Sequence, residues 1–468
     1  MPISSDPTRL FLCRRAFALA AAIQFLFNGA MADTTGTDNA RLPDAARAPL
    51  MLELPLLDMP DNFPRGPAFP SMQQSLRLTA SMYQAVHRGI DAGLGQHPLA
   101  SELVQDGFDL LSLYLPLGES WLHEEWHRAV LSSRGINSFD EIYKFNFLSL
   151  AVKVSGVGDS DLVRLKRDHP QDLVRLYEAG VEAQYLHARE LSKDRFFFGA
   201  NRYARILNIA SVASGIVYLG LSTFSYVDRL TDQMNASDGA NVLGRDVAGW
   251  DFTAWVYDLY RPHEPYEARG IHPSGVGINR YIKTTDLTAD QIRFLRLQAG
   301  LSLLNLADPV LYGSNGFGAE GPAGNDPMRY SFSLHHFLTS FGYSVDATGF
   351  FKHGDFNGCV TLHNYANGQK YFPGLELEAL QYPLFFATAI TVSPKINIWL
   401  QPLNQDFWTA SYSGGGLAAL KCSFPVYQHF GAWVEIEGKT GGWVAGDVHL
   451  GPSVGGELGI SYMTRPPR

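Results

Sequence analysis

Cysteine is scarce in this chain, with three in 468 residues. One of them, Cys13, falls in an N-terminal leader, which leaves Cys359 and Cys422. Two cysteines suffice for one disulfide in an oxidising compartment or for two separate thiols, and they exclude a disulfide-framed scaffold. Positive charge is scarce as well: 37 Lys plus Arg stand against 46 Asp plus Glu, a formal net charge of −9. The basic footprint that a phosphate backbone requires is missing, so nucleic acid is excluded as a partner. Long internal repeats, low-complexity tracts and a nucleophile elbow around a serine are also absent. The glycine-rich 'GSNGFGAEGPAGND' has no Lys-Ser/Thr after it, which makes it a loop rather than a phosphate cradle.

What is present is apolar residue, 46% of the chain, enough to core two or three domains. Residues 1–32 read as an export signal: Arg9, Arg14 and Arg15 precede an apolar run from Ala16 to Phe27, and Ala30-Met31-Ala32 offers a small-x-small cleavage site. The alternative is an uncleaved anchor, although the run falls short of the ~20 residues of a membrane span. An exported protein of a Gram-negative-type cell envelope, in the outer membrane or the periplasm, is expected. Residues 33–71 form a Pro-rich linker or surface-hugging arm.

From 72 to 310 the apolar positions recur every three or four residues, the period of helices. Pro116-Leu117-Gly118 should break this region and start a short helix near Ser120 that ends before Gly135. The stretch 206–227 carries no charge and is either a membrane span or a fully buried core helix. Its small residues Ala210, Ser214 and Gly215 let a neighbouring helix come close.

Beyond about residue 325 the period becomes two. 'AWVEIEGKTGGWVAGDVHL' reads as a hairpin, with Val434 and Ile436 alternating with glutamates, then Val444, Val448 and Leu450 alternating with Asp447 and His449. 'LELEALQY', 'LFFATAITV', 'KINIWLQP', 'DFWTASYS', 'GLAALKCSFPVY' and 'GELGISYM' continue the pattern. The expected fold class is α+β: an N-terminal helical domain, then over 325–468 an antiparallel barrel-like domain of about 8–10 strands. That barrel either faces outer-membrane lipid or is soluble.

Chemistry concentrates in 'HEEWH', residues 123–127. Histidines four apart on a helix lie one turn above each other and reach one ion, while Glu124 projects toward water bound to that ion. The plain structural reading is a solvated helix face on which Glu124, Glu125 and Arg128 form ion pairs. Further on, 'EAGVE' places Glu178 and Glu182 on one face of a later helix that Gly180 weakens by about 1 kcal/mol relative to Ala.

HExxH followed by such a carboxylate pair resembles the gluzincin metallopeptidases, and within them the membrane-associated branch that includes the CAAX-prenyl endopeptidases. The resemblance covers about 60 residues and implies a Zn²⁺ site. It makes His123, His127 and Glu178 the ligands, Glu124 the general base, Glu182 the carboxylate behind a ligand, and His187 a candidate to stabilise the oxyanion. The implied activity is zinc-dependent hydrolysis of a peptide or protein substrate at the cell envelope. The alternative is a non-enzymatic outer-membrane protein with a helical periplasmic module.

Overall fold

The computed structural model describes residues 51–62, 69–94, 96–144, 152–199, 205–314, 316–318, 328–384 and 387–463. The leader expected over 1–32 lies outside them.

The first described segment differs from the expected arm. Met51–Met59 is strand β1, and it pairs antiparallel with the last strand of the chain, Leu54 opposite Ile460 and Met59 opposite Gly456. Helices follow: α1 (Met72–Leu94), α2 (Pro98–Ser112) and α3 (Glu119–Ser133). Leu117, at φ 68°, and Gly118 make the break before α3. A two-stranded ribbon, β2 (Phe139–Asp140) with β3 (Val154–Ser155), leads to α4 (Asp159–Asp168) and α5 (Pro170–Phe198). Pro170 suits the first turn of α5, where its missing N–H costs nothing, and Gly199 ends the helix in the left-handed conformation.

The apolar stretch 206–227 is not one span. It is α6 (Arg205–Leu221), a turn through Ser222–Ser225, and the start of α7 (Tyr226–Asp238), the two axes bent by 95°. No single helix among the described residues is long and apolar enough to cross a membrane. The small residues work as expected: a Cβ at Gly215 would stand 2.6 Å from Val181, so α6 lies directly on α5. Helices α8 (Asp251–Tyr260) and α9 (Ala289–Leu301) complete nine helices among the described residues, α9 opening with a Thr288/Gln291 capping box.

Ten strands of the second half and β1 form one antiparallel sheet, eleven strands among the described residues. After the two-residue β4 (Phe317–Gly318) come β5 (Arg329–Thr339), β6 (Gly342–His353), β7 (Phe356–Ala366), β8 (Tyr371–Ala379), β9 (Tyr382–Leu384), β10 (Ala387–Pro402), β11 (Tyr412–Tyr427), β12 (Phe430–Lys439) and β13 (Ser453–Met463). The order is β1-β13-β12-β11-β10-β8-β7-β6-β5-β4, with β9 beside β10. Its ends do not meet, so the barrel expectation is corrected to an open sheet.

The expected hairpin is corrected too, since only its first arm is a strand. Residues 440–452 fold as a loop that sends Trp443, Val444 and Val448 into the main core. That core joins Trp126, Leu173, Tyr177 and Trp255 of the helices to Phe337 and Trp399 of the sheet. A disulfide is excluded by topology. Cys359 on β7 faces inward and Cys422 on β11 outward, with β8 and β10 between them at ~4.8 Å per strand, and both are free thiols.

Candidate metal centre

Helix α3 is buried on nearly every side, which removes the reading of HEEWH as a solvated face. Glu125 and Arg128 pair with each other inside the protein, and Arg128 also donates to the Ser132 hydroxyl at 3.0 Å. His123 and His127 project from the opposite side of the helix toward α5.

They meet α5 at a position chosen by size. A Cβ on residue 180 would overlap His123 Nε2 and stand 2.5 Å from His127 Nε2. Glycine is the residue that lets two imidazoles lie against this helix, so the helix-weakening Gly180 is a steric requirement of the histidine pair.

The same geometry explains where Glu178 and Glu182 go. Each is two residues from Gly180, about 200° around the helix, so they point away from the histidines. Arg175 binds both, donating to Glu178 Oε1 at 2.9 Å and to Glu182 Oε1 at 3.1 Å. Trp443 Nε1 donates to Glu178 at 2.7 Å, and the Gly446 N–H donates to Glu182 at 2.7 Å. This pair holds the 440–452 loop on α5.

The carboxylate that joins the histidines is Asp251, the first residue of α8. Asp251 Oδ2 lies 3.1 Å from His123 Nε2 and 3.6 Å from His127 Nε2. Among the described residues this trio is the group of ligand-type side chains that could hold a metal ion, its ligand atoms all within 4.8 Å of one another. Metal bonds of ~2.0–2.1 Å in a tetrahedron set ligand atoms roughly 3.3 Å apart, close to both Asp251 separations. The tautomer fits as well. His127 Nδ1 donates to the Leu176 carbonyl at 2.5 Å, which in the neutral ring leaves Nε2 with its lone pair toward the cluster.

Three features place Asp251. Gly249, at φ 70°, lets the chain pass against Arg280, where a Cβ would stand 2.5 Å from the carbonyl oxygen. Trp250 anchors to Thr231 through its indole N–H at 2.7 Å. The Asp251 N–H donates to the Tyr218 hydroxyl oxygen at 3.1 Å. Burial alone would raise the Asp251 carboxyl, but His127 and His123 beside it hold it well below the usual carboxylate range. Burial would likewise lower His127, and Asp251 outweighs it, so that imidazole is raised.

Glu124 has a different environment. It is buried, and among the described residues no hydrogen bond engages its carboxylate. Burial, with Asp246, Asp140 and Asp251 nearby, pushes its carboxyl well above the ordinary value. Asp246 is itself pushed up to about 7, first by burial. Lys153, the cation closest to offsetting it, pairs with Asp238 at 3.7 Å. The cluster is thus rich in carboxylates and poor in cations, a setting that favours a bound positive ion.

All four residues, His123, Glu124, His127 and Asp251, line one cavity of about 360 Å³. Much of the remaining wall comes from α6 and α7, including Val217, Leu221, Val227, Leu230 and Met234, with Lys153, Gln184 and Asp246 among the rest of the lining. His187 is not among the lining residues. It is buried behind Glu119, which its ring contacts through Nδ1 and which does line the cavity.

Comparison with known proteins returns no match among protein-family models, curated proteins or solved structures.

Asp251 could not be reached from spacing, since it lies 124 residues beyond His127 and outside any repeating pattern. The one signal for it is 'AGWD', a glycine turn into a helix whose first residue is acidic.

Proposed function

We propose that this chain is a zinc-dependent hydrolase whose ligands are His123, His127 and Asp251, and that it cleaves an amide bond in a peptide or protein substrate. The observation that carries the reading is the convergence of two imidazole Nε2 atoms and one carboxylate oxygen beside an unengaged glutamate, on the wall of a cavity. Two nitrogens and one carboxylate oxygen form a donor set of the kind catalytic zinc sites use. When bound, zinc supplies a water of lowered pKa and a Lewis acid for the scissile carbonyl.

The chain's own groups do the rest. Glu124, held in a dry and negatively charged setting, takes a proton from the attacking water and returns it to the leaving amine. Tyr218 accepts the Asp251 N–H and so keeps its own proton to donate toward an oxygen in the cavity. The Leu176 carbonyl holds the His127 ring in orientation. The apolar walls on α6 and α7 select substrates that present an aliphatic or aromatic group beside the cleaved bond.

The test is metal analysis of the purified protein beside its variants. His123→Ala and Asp251→Ala are expected to lose zinc, whereas Glu178→Gln keeps it. Glu124→Gln is expected to keep zinc and lose hydrolysis of a fluorogenic peptide library with apolar side chains. Full zinc content in Asp251→Ala overturns the ligand set, and full turnover in Glu124→Gln overturns the base.

A further inference from the structure

The sheet is built inside out. Around the core residues Phe337, Phe372 and Trp399, the strand residues that face the helices are largely polar or charged, while those that face away are largely apolar. On the helix side, Arg77 of α1 donates to Glu53 at 3.1 Å and to Glu457 at 3.0 Å and also pairs with Glu435. Lys421 joins Glu53, Arg189 of α5 reaches Glu376 at 3.2 Å, and Lys193 reaches Glu378 at 2.9 Å. On the other side the same strands present Leu54, Leu334, Leu362, Leu377, Ile396, Ile398, Leu420, Val434, Ile436, Leu458 and Ile460, all exposed.

Register confirms that these form one surface: Leu54 pairs with Ile460, Leu458 with Val434, Ile436 with Leu420, and Ile396 with Leu377. Among the described residues, no Asp, Glu, Lys or Arg stands at an outward position from β5 through β8, from β10 through β13, or on β1. Exposed aromatics stand at the ends of the strands, with Tyr330, Phe356, Tyr382, Tyr427, Phe430 and Tyr462 at one end and Tyr371 and Tyr412 at the other.

We propose that this outer face is seated in the hydrocarbon of a lipid bilayer. Soluble monomers rarely expose apolar patches beyond a few hundred Å², and this one extends across the sheet. Apolar-out, polar-in alternation with an aromatic belt is the pattern of lipid-facing strands, whose apolar band is ~25 Å tall. Strand β5, with 11 residues at ~3.3 Å each, is long enough to cross that band. A second copy of this chain as the occupant would leave the freedom from charge unexplained, because dimer interfaces carry a polar rim.

An open edge in lipid must have its backbone groups satisfied. At β1, Ser81 of α1 does this for one residue, accepting the Glu53 N–H and donating to the Glu53 carbonyl, both at 2.9 Å.

The experiment is flotation of the full chain with neutral phosphatidylcholine vesicles at high salt, which removes charge-driven binding. The protein is expected to float. The pair Ile396→Lys/Ile436→Lys should lower the bound fraction about tenfold or more, while Ile396→Val/Ile436→Val leaves it unchanged. Zinc content and far-ultraviolet circular dichroism report whether the lysine pair has folded. Should it not fold, a second measurement decides: an environment-sensitive dye on the outward Cys422, in a Cys13→Ser background, should be quenched by acyl-brominated phosphatidylcholine. A protein that stays at the bottom of the gradient overturns the proposal, and so does an unquenched dye. Dimerisation through this face, abolished by the lysine pair without any flotation, overturns it in favour of a second copy.

Discussion

Two places in this molecule bury charge, and they treat it in opposite ways. Between α1, α5 and the sheet, each of the acids Glu53, Glu376, Glu378, Glu435 and Glu457 has an arginine or lysine against it. At the head of α3 and α8, Glu124 and Asp246 lie without a paired arginine or lysine among the described residues, beside Asp251, whose partners are the imidazoles of His123 and His127. Compensated charge can serve as scaffold, because each ion carries its counter-ion with it. Uncompensated charge in a cavity is an electrostatic debt that positive charge from outside can settle, and this difference separates the site from the framework.

The comparison can be broken at several points. The largest effect is expected on the uncompensated side, where Glu124→Gln should lower turnover by about 10²–10⁴-fold with zinc retained, measured as kcat on a peptide substrate. On the compensated side Arg77→Ala should destabilise the fold by about 3–5 kcal/mol in chemical denaturation, because it leaves three carboxylates facing one another, and it should leave zinc affinity unchanged. A smaller effect belongs to the contact between α3 and α5. Gly180→Ala should weaken zinc binding by about 100-fold, read by competition with a chelating dye, since the added methyl displaces ligand nitrogens. The smallest sharpens the role of Glu178. Trp443→Phe removes an indole donor and should cost about 1.5–3 kcal/mol of stability with no change in zinc content, whereas a loss of zinc would return Glu178 to the ligand set.

Spacing in the sequence reaches as far as local geometry extends. His123, Glu124 and His127 are legible because one helical turn joins them, and the break at Leu117-Gly118 because backbone chemistry is local. Arg175, three and seven residues before Glu178 and Glu182 on the same helix, is passed over when Glu178 is read as a ligand, and its ion pairs with both give them a structural role instead. Asp251 was not legible, because its place is set by how α6 and α8 dock. Gly180 carried a signal that propensity alone misreads, since its cost to α5 is small beside the clash it avoids. In the sheet, period two shows that alternate residues share a face but not which face is inside, and it does not reveal that β1 closes one edge.

That last pairing constrains how the chain is made. Met51 sits opposite Met463, so the first described strand and the last are neighbours across 412 positions of sequence. During synthesis β1 emerges early and waits, with its edge unsatisfied, until β13 is complete. Contacts this distant form slowly, because the entropy of closing the loop comes due before any pairing repays it. In that interval β1 is an open template for another strand, and helix α1, which follows it directly and already holds Ser81 over Glu53, is the element placed to shield it.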